Sequence, residues 1–217
     1  MKKTMAAPLL WAVFVALLFS TNMLQAQPLQ TRISTLPAHN ITRQNPVFGY
    51  ISIGGGLPAN ARVAFDLCFA QGITTSVFGQ MTTRNSPNTP SDYQPGFVAI
   101  GEGYGRVPEY LTTVGITAGK MTLLSPYARL NIKAGVGYAR LNAPEHFVLK
   151  PKDILNFGSN YTYERHTHSG WALFVQPSVE FPLTRHFGIA VSPFVNINQF
   201  HPVFGVELAT QLGYLRE

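Results

Sequence analysis

Apolar residues alternate with small or polar residues along most of the chain. Near the C-terminus, apolar side chains occupy every second position at Trp171, Leu173 and Val175, and after a short break the pattern resumes at Phe187 and Ile189. A period of two is the pattern of a β-strand whose two faces meet different surroundings. This part of the chain therefore predicts two antiparallel strands joined by a tight turn.

The same alternation predicts eight strands in one domain, residues 47–217. They cover residues 47–55, 61–81 (divided by a turn at 70–72), 110–121, 127–140, 170–197 (divided by a turn at 182–186) and 202–214. No helical period and no linker interrupts them. Residues 96–107 are also strand-like, so ten strands are the alternative.

The connections between the predicted strands have two sizes. Residues 70–72, 122–126 and 182–186 are short turns, whereas residues 84–107 and 141–169 are long, polar and rich in proline. Short and long connections alternate, as in outer-membrane barrels, which have short periplasmic turns and longer extracellular loops. We therefore predict that the two long segments are extracellular loops.

The N-terminus has the features of a cleaved secretory signal peptide, residues 1–26. Lys2 and Lys3 precede an uncharged apolar segment, and Ala26 provides a small residue at the cleavage position. Residues 27–46 are polar and mixed, and we interpret them as an irregular lead-in. Cleavage lowers the formal net charge from six to four because Lys2 and Lys3 leave. This small, scattered excess argues against a nucleic-acid partner.

Charged residues are scarce, at 12% of the chain, which is about half the usual share. Within the predicted strands they lie on the small and polar face, and the apolar face carries essentially no charge. A charge facing lipid at mid-depth costs about 2–4 kcal/mol, whereas the lumen of an eight-stranded barrel holds side chains. We therefore assign the apolar face to lipid and predict a charge network in the lumen, formed by Asp66, Arg129, Lys133, Glu180 and Glu207.

Two prolines interrupt the hairpin formed by residues 170–197. Proline cannot donate a hydrogen bond to a strand ladder. Sheets usually place proline on an edge strand, but a closed barrel has no edge strand. A turn at residues 184–186 sets Pro177 opposite Pro193, with both on the lipid face. We therefore predict a bulge or a broken ladder at this pair.

The C-terminal third resembles the last hairpin and closing strand of small outer-membrane β-barrel proteins of the OmpA/OmpX-like and PorT-like kind, especially those of Bacteroidetes-type bacteria. The resemblance lies in PSVEFPLTRHFGIAVSPFVNIN and FGVELATQLGYLRE. It implies an all-β, antiparallel up-and-down transmembrane barrel in the bacterial outer membrane. It implies no single activity, because such barrels serve as anchors, adhesins, porins and occasional enzymes.

One polar segment before Trp171 carries candidate chemistry. His166 and His168 are two positions apart and share a strand face with Glu164, and such side chains can bind a divalent metal. Ser169 lacks the spacing of the His and Ser used by outer-membrane lipid A deacylases. We predict no metal and no cofactor, and interpret the segment as a hydrophilic loop end, with a metal site as the alternative.

The predicted function is a structural or surface-interaction role for a barrel with a filled lumen, through extracellular loops 84–107 and 141–169. The predicted partners are outer-membrane lipid and lipopolysaccharide, together with an extracellular or periplasmic protein. The chain is not expected to be an enzyme. The alternatives are a small passive channel and a lipid-modifying outer-membrane enzyme.

Overall fold

The computed structural model describes residues 47–95, 105–125, 127–151 and 158–215. The predicted signal peptide 1–26 and lead-in 27–46 lie outside the described residues, as does most of the strand-like segment 96–107. Among the described residues, no helix is long and apolar enough to cross a membrane.

Eight antiparallel strands follow one another around a closed barrel. The strands are β1 (Phe48–Leu57), β2 (Asn60–Cys68), β3 (Ile73–Asn85), β4 (Pro108–Ser125), β5 (Ala128–Leu149), β6 (Tyr161–Phe181), β7 (Phe187–Asn198) and β8 (Val203–Gly213). Each pairs with the next, and β8 returns to pair with β1 from Tyr50↔Gly213 to Leu57↔Val206. The predicted eight-stranded, up-and-down antiparallel barrel is confirmed.

The two ends of the barrel differ in their connections. We call the end with the short connections after β2, β4 and β6 the turn end. We call the opposite end, which carries the connections after β3 and β5, the loop end. The start of β1 and the end of β8 both lie at the turn end.

The two faces of the wall follow the alternation in the sequence. Side chains such as Ile53, Val77 and Leu208 are exposed on the outside, whereas residues next to them in sequence, such as Ser52, Ser76 and Ala209, point inward and are buried. Of the described strand residues, three charged ones face outward by this alternation, namely Lys120, Arg140 and Arg165. Lys120 lies towards the turn end and the two arginines lie towards the loop end, so the wall between them has an uncharged apolar surface.

The connection after β5 corrects the sequence prediction. Residues 141–169 were expected to form a long loop, but β5 continues to Leu149 and β6 already begins at Tyr161. The two strands stay paired beyond the rest of the wall, with a register shift between Glu145 and Val148. Apolar and polar residues do not alternate in residues 141–149 and 161–169, because neither face of these strand segments meets lipid. The sequence pattern therefore did not reveal that the strands extend this far. We call residues 141–149 and 161–169 the outer hairpin.

The two prolines of the last hairpin break the ladder as predicted. Pairing between β6 and β7 holds up to Val175↔Val195 and resumes at Val179↔Val191 in the same register. The three unpaired positions on each strand are centred on Pro177 and Pro193. Pro177 and Pro193 face each other, and neither has an N–H to donate, so both backbone hydrogen bonds of this pair are missing. The residue pairs on either side are bounded by the same two bonds, so the ladder is interrupted at three consecutive positions. The prolines keep their pairing on the other side, with Ile132 and Val206.

Candidate functional site

A buried ion pair fills the turn end of the interior. The Arg129 Nε donates to Glu180 Oε2 at 2.8 Å, and its Nη1 donates to the Leu215 carbonyl at 2.7 Å. The Glu180 carboxylate also accepts from the Tyr50 hydroxyl at 3.1 Å and from the Asn131 amide at 2.9 Å. The carboxylate thus has a charged partner and two neutral donors, as a buried charge requires.

A second ion pair lies further into the barrel, centred on Asp66. The Lys133 ammonium donates to Asp66 Oδ1 at 2.8 Å. The Ser52 hydroxyl donates to Oδ2 at 2.9 Å, and the Ser76 hydroxyl also bonds the carboxylate. Asp66, Ser52 and Ser76 lie on the neighbouring strands β2, β1 and β3, and Lys133 reaches them from β5 across the interior.

A third pair includes a residue that the sequence prediction omitted, Arg62. Its guanidinium lies 3.6 Å from Glu207 Oε1, and both side chains are buried. The same guanidinium lies over the rings of Phe78 and Phe174, at 5.2 and 5.5 Å from their centroids. Arg62 lies four positions before Asp66 in the same strand, so its inward face could have been found from the period of two. It brings this interior set to three acidic and three basic groups.

Two inward glycines make room for large side chains in this layer. A Cβ at Gly54 would come within 2.7 Å of Glu207, and a Cβ at Gly205 would come within 2.6 Å of the Phe194 ring. Phe194 stacks on Phe174 with 6.0 Å between ring centroids. The small residues that alternate with the apolar positions therefore give space to inward aromatic and charged groups.

The five predicted lumen residues all lie inside the barrel, each with a charged partner of opposite sign. They are Asp66, Arg129, Lys133, Glu180 and Glu207. The sequence predicted that each of these residues faces the lumen. It did not predict which acidic residue binds which basic residue, because the ion pairs depend on strand register and on contacts across the interior.

The candidate metal ligands His166, His168 and Glu164 lie in the outer hairpin, on the face that continues the lumen side of β5 and β6. The His166 Nε2 lies 3.3 Å from His146 Nδ1 and 3.5 Å from Glu164 Oε2. His168 is turned instead to Glu145, with 2.8 Å between Nε2 and Oε1. This hydrogen bond holds the pKa of the Glu145 carboxyl below its ordinary value.

His146 is the ligand candidate that the sequence could not place. It lies at the register shift of β5 and has a φ of +52°, in the left-handed region. This conformation turns it out of the strand alternation and beside His166. Ser169, by contrast, directly follows His168 in β6, and successive side chains of a strand point to opposite faces. Ser169 therefore lies on the other face of β6 from His166 and His168. The described strand therefore does not bring Ser169 together with the histidines.

The loop end is held together by contacts between the outer hairpin and the connection after β3. The Tyr161 hydroxyl donates to the Asp92 carboxylate at 2.9 Å, and the backbone N–H of Gln94 donates to Asn160 Oδ1 at 2.7 Å. Tyr93 and Phe147 pack around Tyr161, with ring centroids 6.4 and 6.3 Å from it. The hydrogen bond to Asp92 raises the pKa of Tyr161.

Several solved structures are similar to this barrel. The outer membrane protein Ail of Yersinia pestis, in a phospholipid bilayer nanodisc, is 14% identical with a TM-score of 0.45, over 78% of this chain and 100% of that chain. The N-terminal β-barrel domain of Pseudomonas aeruginosa OprF is 10% identical with a TM-score of 0.45, over 79% and 98%. Neisserial surface protein A is 10% identical with a TM-score of 0.43, over 77% and 93%. No protein-family model and no curated protein sequence matches the chain.

The fold is that of a small outer-membrane β-barrel. A closed ladder leaves no strand edge exposed to lipid, and among the described strand residues the outer surface between Lys120 and the two arginines is apolar and uncharged. These two properties are those of a barrel that spans a membrane, in agreement with the location in the bacterial outer membrane that the sequence predicts.

Proposed function

We propose that this barrel has a filled lumen and serves a structural or surface-interaction role through its loop end, without enzymatic activity. The observation that carries the proposal is the contrast between the occupied interior and the projecting outer hairpin. The proposed partners are outer-membrane lipid and lipopolysaccharide, and an extracellular or periplasmic protein.

The interior contacts support a lumen closed to ions. Arg62, Phe78 and Phe174 form one layer across the barrel, with 4.6 Å between the two ring centroids. Towards the turn end, this layer is followed by the Asp66 and Glu180 ion pairs. An eight-stranded barrel has an interior only wide enough for side chains, so three such layers leave little room for an ion path.

Conductance in planar bilayers tests the filled lumen. We expect no single-channel steps from the purified barrel, provided that its heat-modifiable migration in detergent gels shows it to be folded. A matched variant with Phe174→Ala and Phe194→Ala removes two interior rings and is expected to leak more than the parent. Discrete conductance steps from the parent barrel would contradict the filled lumen and favour the small passive channel.

The contacts at the loop end support a surface role. Tyr93, Phe147 and Tyr161 form an aromatic group that joins two segments distant in sequence, and Asn160 bonds both Gln94 and Asp92. Aromatic residues held in place by such contacts lose little conformational freedom when a partner binds. The outer hairpin thus offers a preorganised surface beyond the lipid.

Labelling of single cysteines in intact cells tests which end is extracellular. In a Cys68→Ala background, a cysteine at Thr162 in the outer hairpin is expected to react with a membrane-impermeant maleimide. A cysteine at Thr184 in the turn after β6 is expected to react only after cell lysis, because the short connections should be periplasmic. The reverse labelling pattern would invert the orientation and remove the loop end as a cell-surface contact site.

A further inference from the structure

Three ligand atoms in the outer hairpin already have the spacing of a metal site. His146 Nδ1 and His166 Nε2 are 3.3 Å apart, and Glu164 Oε2 lies 3.5 Å from the second nitrogen and 3.8 Å from the first. Ligands about 2.0–2.2 Å from a tetrahedral Zn²⁺ ion are separated by roughly 3.3–3.5 Å. A circle through the three atoms has a radius of about 2 Å, so one ion can bind all three.

The candidate for a fourth ligand is Glu145, which precedes His146 in β5. Glu145 offers a carboxylate oxygen within 4.8 Å of one ring nitrogen of His146 and one of His166. His168 donates to the same carboxylate at 2.8 Å and restricts its orientation. Hydrogen bonds of this kind orient the carboxylates of metal sites.

The strand register places two carboxylates beside these histidines. Glu145 and Glu164 are direct cross-strand partners on one face of the hairpin. Like charges directly opposite each other destabilise a strand pair. The groups that contact these two carboxylates are His146, His166 and His168. A bound divalent ion would convert the repulsion into two attractive contacts.

We propose that the outer hairpin binds one divalent transition-metal ion of the Zn²⁺ class. Its ligands are His146 Nδ1, His166 Nε2 and Glu164 Oε2, with Glu145 in the fourth position. His168 is a positioning residue that acts through Glu145. Imidazole and carboxylate ligands favour Zn²⁺ over Ca²⁺ and Mg²⁺, which prefer all-oxygen sites. The ion links β5 to β6 at the register shift, where the ladder is interrupted.

Calorimetric titration of the full mature barrel, folded in detergent and without a polyhistidine tag, tests the site with ZnCl₂. We expect one ion per chain. His146→Ala with His166→Ala is expected to lower the affinity at least about 100-fold, because loss of even an outer partner of a metal ligand costs about 10–100-fold. His168→Ala is expected to lower it by about tenfold for the same reason.

The control is His186→Ala, which removes an exposed histidine from the turn end of the same barrel. This variant should keep the parent affinity. Heat-modifiable migration verifies that every variant is folded, and visible absorption of bound Co²⁺ reports the coordination geometry. Absence of saturable Zn²⁺ binding by the parent, or equal binding by the parent and the double histidine variant, would overturn the proposal.

Discussion

Strands β5 and β6 carry two facing pairs of charged residues on the same inward face, at opposite ends of the barrel. At the turn end, Arg129 lies directly opposite Glu180, and their side chains are 3% and 1% exposed. In the outer hairpin, Glu145 lies directly opposite Glu164, and their side chains are 31% and 74% exposed. The two pairs lie in the same strand register, yet one pair has opposite charges and the other has like charges.

The difference follows from what surrounds each pair. An unmatched charge inside the barrel has no water to solvate it, and breaking a buried pair costs about 3–5 kcal/mol. Like charges facing each other in water cost only a few tenths of a kcal/mol. Each charge in the interior therefore needs a partner of opposite sign from the same chain. The outer hairpin, in contrast, tolerates two facing carboxylates, which an external ion or partner can bind.

The largest expected effect is the loss of the interior carboxylate. Glu180→Gln leaves the Arg129 guanidinium buried without its charged partner. We expect the free energy of unfolding to fall by about 3–5 kcal/mol. Glu164→Gln, the matched change in the outer hairpin, is expected to alter it by less than about 0.5 kcal/mol. Urea unfolding of both variants in lipid vesicles measures the difference.

A double variant separates the charge effect from a general loss of packing. Arg129→Met with Glu180→Leu removes both charges, and replacing a buried pair by apolar residues is often neutral or stabilising. We expect this variant to be clearly more stable than Glu180→Gln alone. Equal stability of Glu180→Gln and Glu164→Gln would mean that the two environments do not differ as argued above.

The same difference explains what the sequence could predict. Within the membrane the two faces meet lipid and lumen, so alternation reveals the strands and the inward position of Asp66 and Glu180. The proline pair was also predictable, because a turn of three residues fixes the register of one hairpin. Sequence could not match Lys133 to Asp66, since the two strands are not neighbours and the contact crosses the interior.

The outer hairpin was mispredicted because its sequence lacks this contrast. Both of its faces lie beyond the lipid, so polar residues such as Thr162 and Arg165 occupy strand positions without a period of two. The spacing of His166 and His168 suggested that they act together, but they contact different glutamates. The register shift brings His146 to His166 instead, and no local pattern marks that shift.

A smaller effect is expected at the contact that holds the outer hairpin to the connection after β3. The Tyr161 hydroxyl donates to the exposed Asp92 carboxylate, and this hydrogen bond raises the pKa of the tyrosine. The contact needs the protonated phenol. Its contribution is therefore present below the ordinary tyrosine pKa of about 10 and is lost as the pH rises through the raised value. At neutral pH the two segments should remain joined.

Titration of Tyr161 by NMR of ¹³Cζ-labelled tyrosine measures this contact without unfolding the barrel. Asp92→Asn removes the negative charge and should lower the pKa of Tyr161 towards its ordinary value, because ionisation no longer places two anions side by side. The barrel should unfold at the same urea concentration in the variant and the parent, since both groups face water and the interior pairs are untouched. An unchanged Tyr161 pKa in Asp92→Asn would show that the carboxylate does not hold the hairpin, and a large loss of barrel stability would show that the exposed contacts are as important as the buried ones.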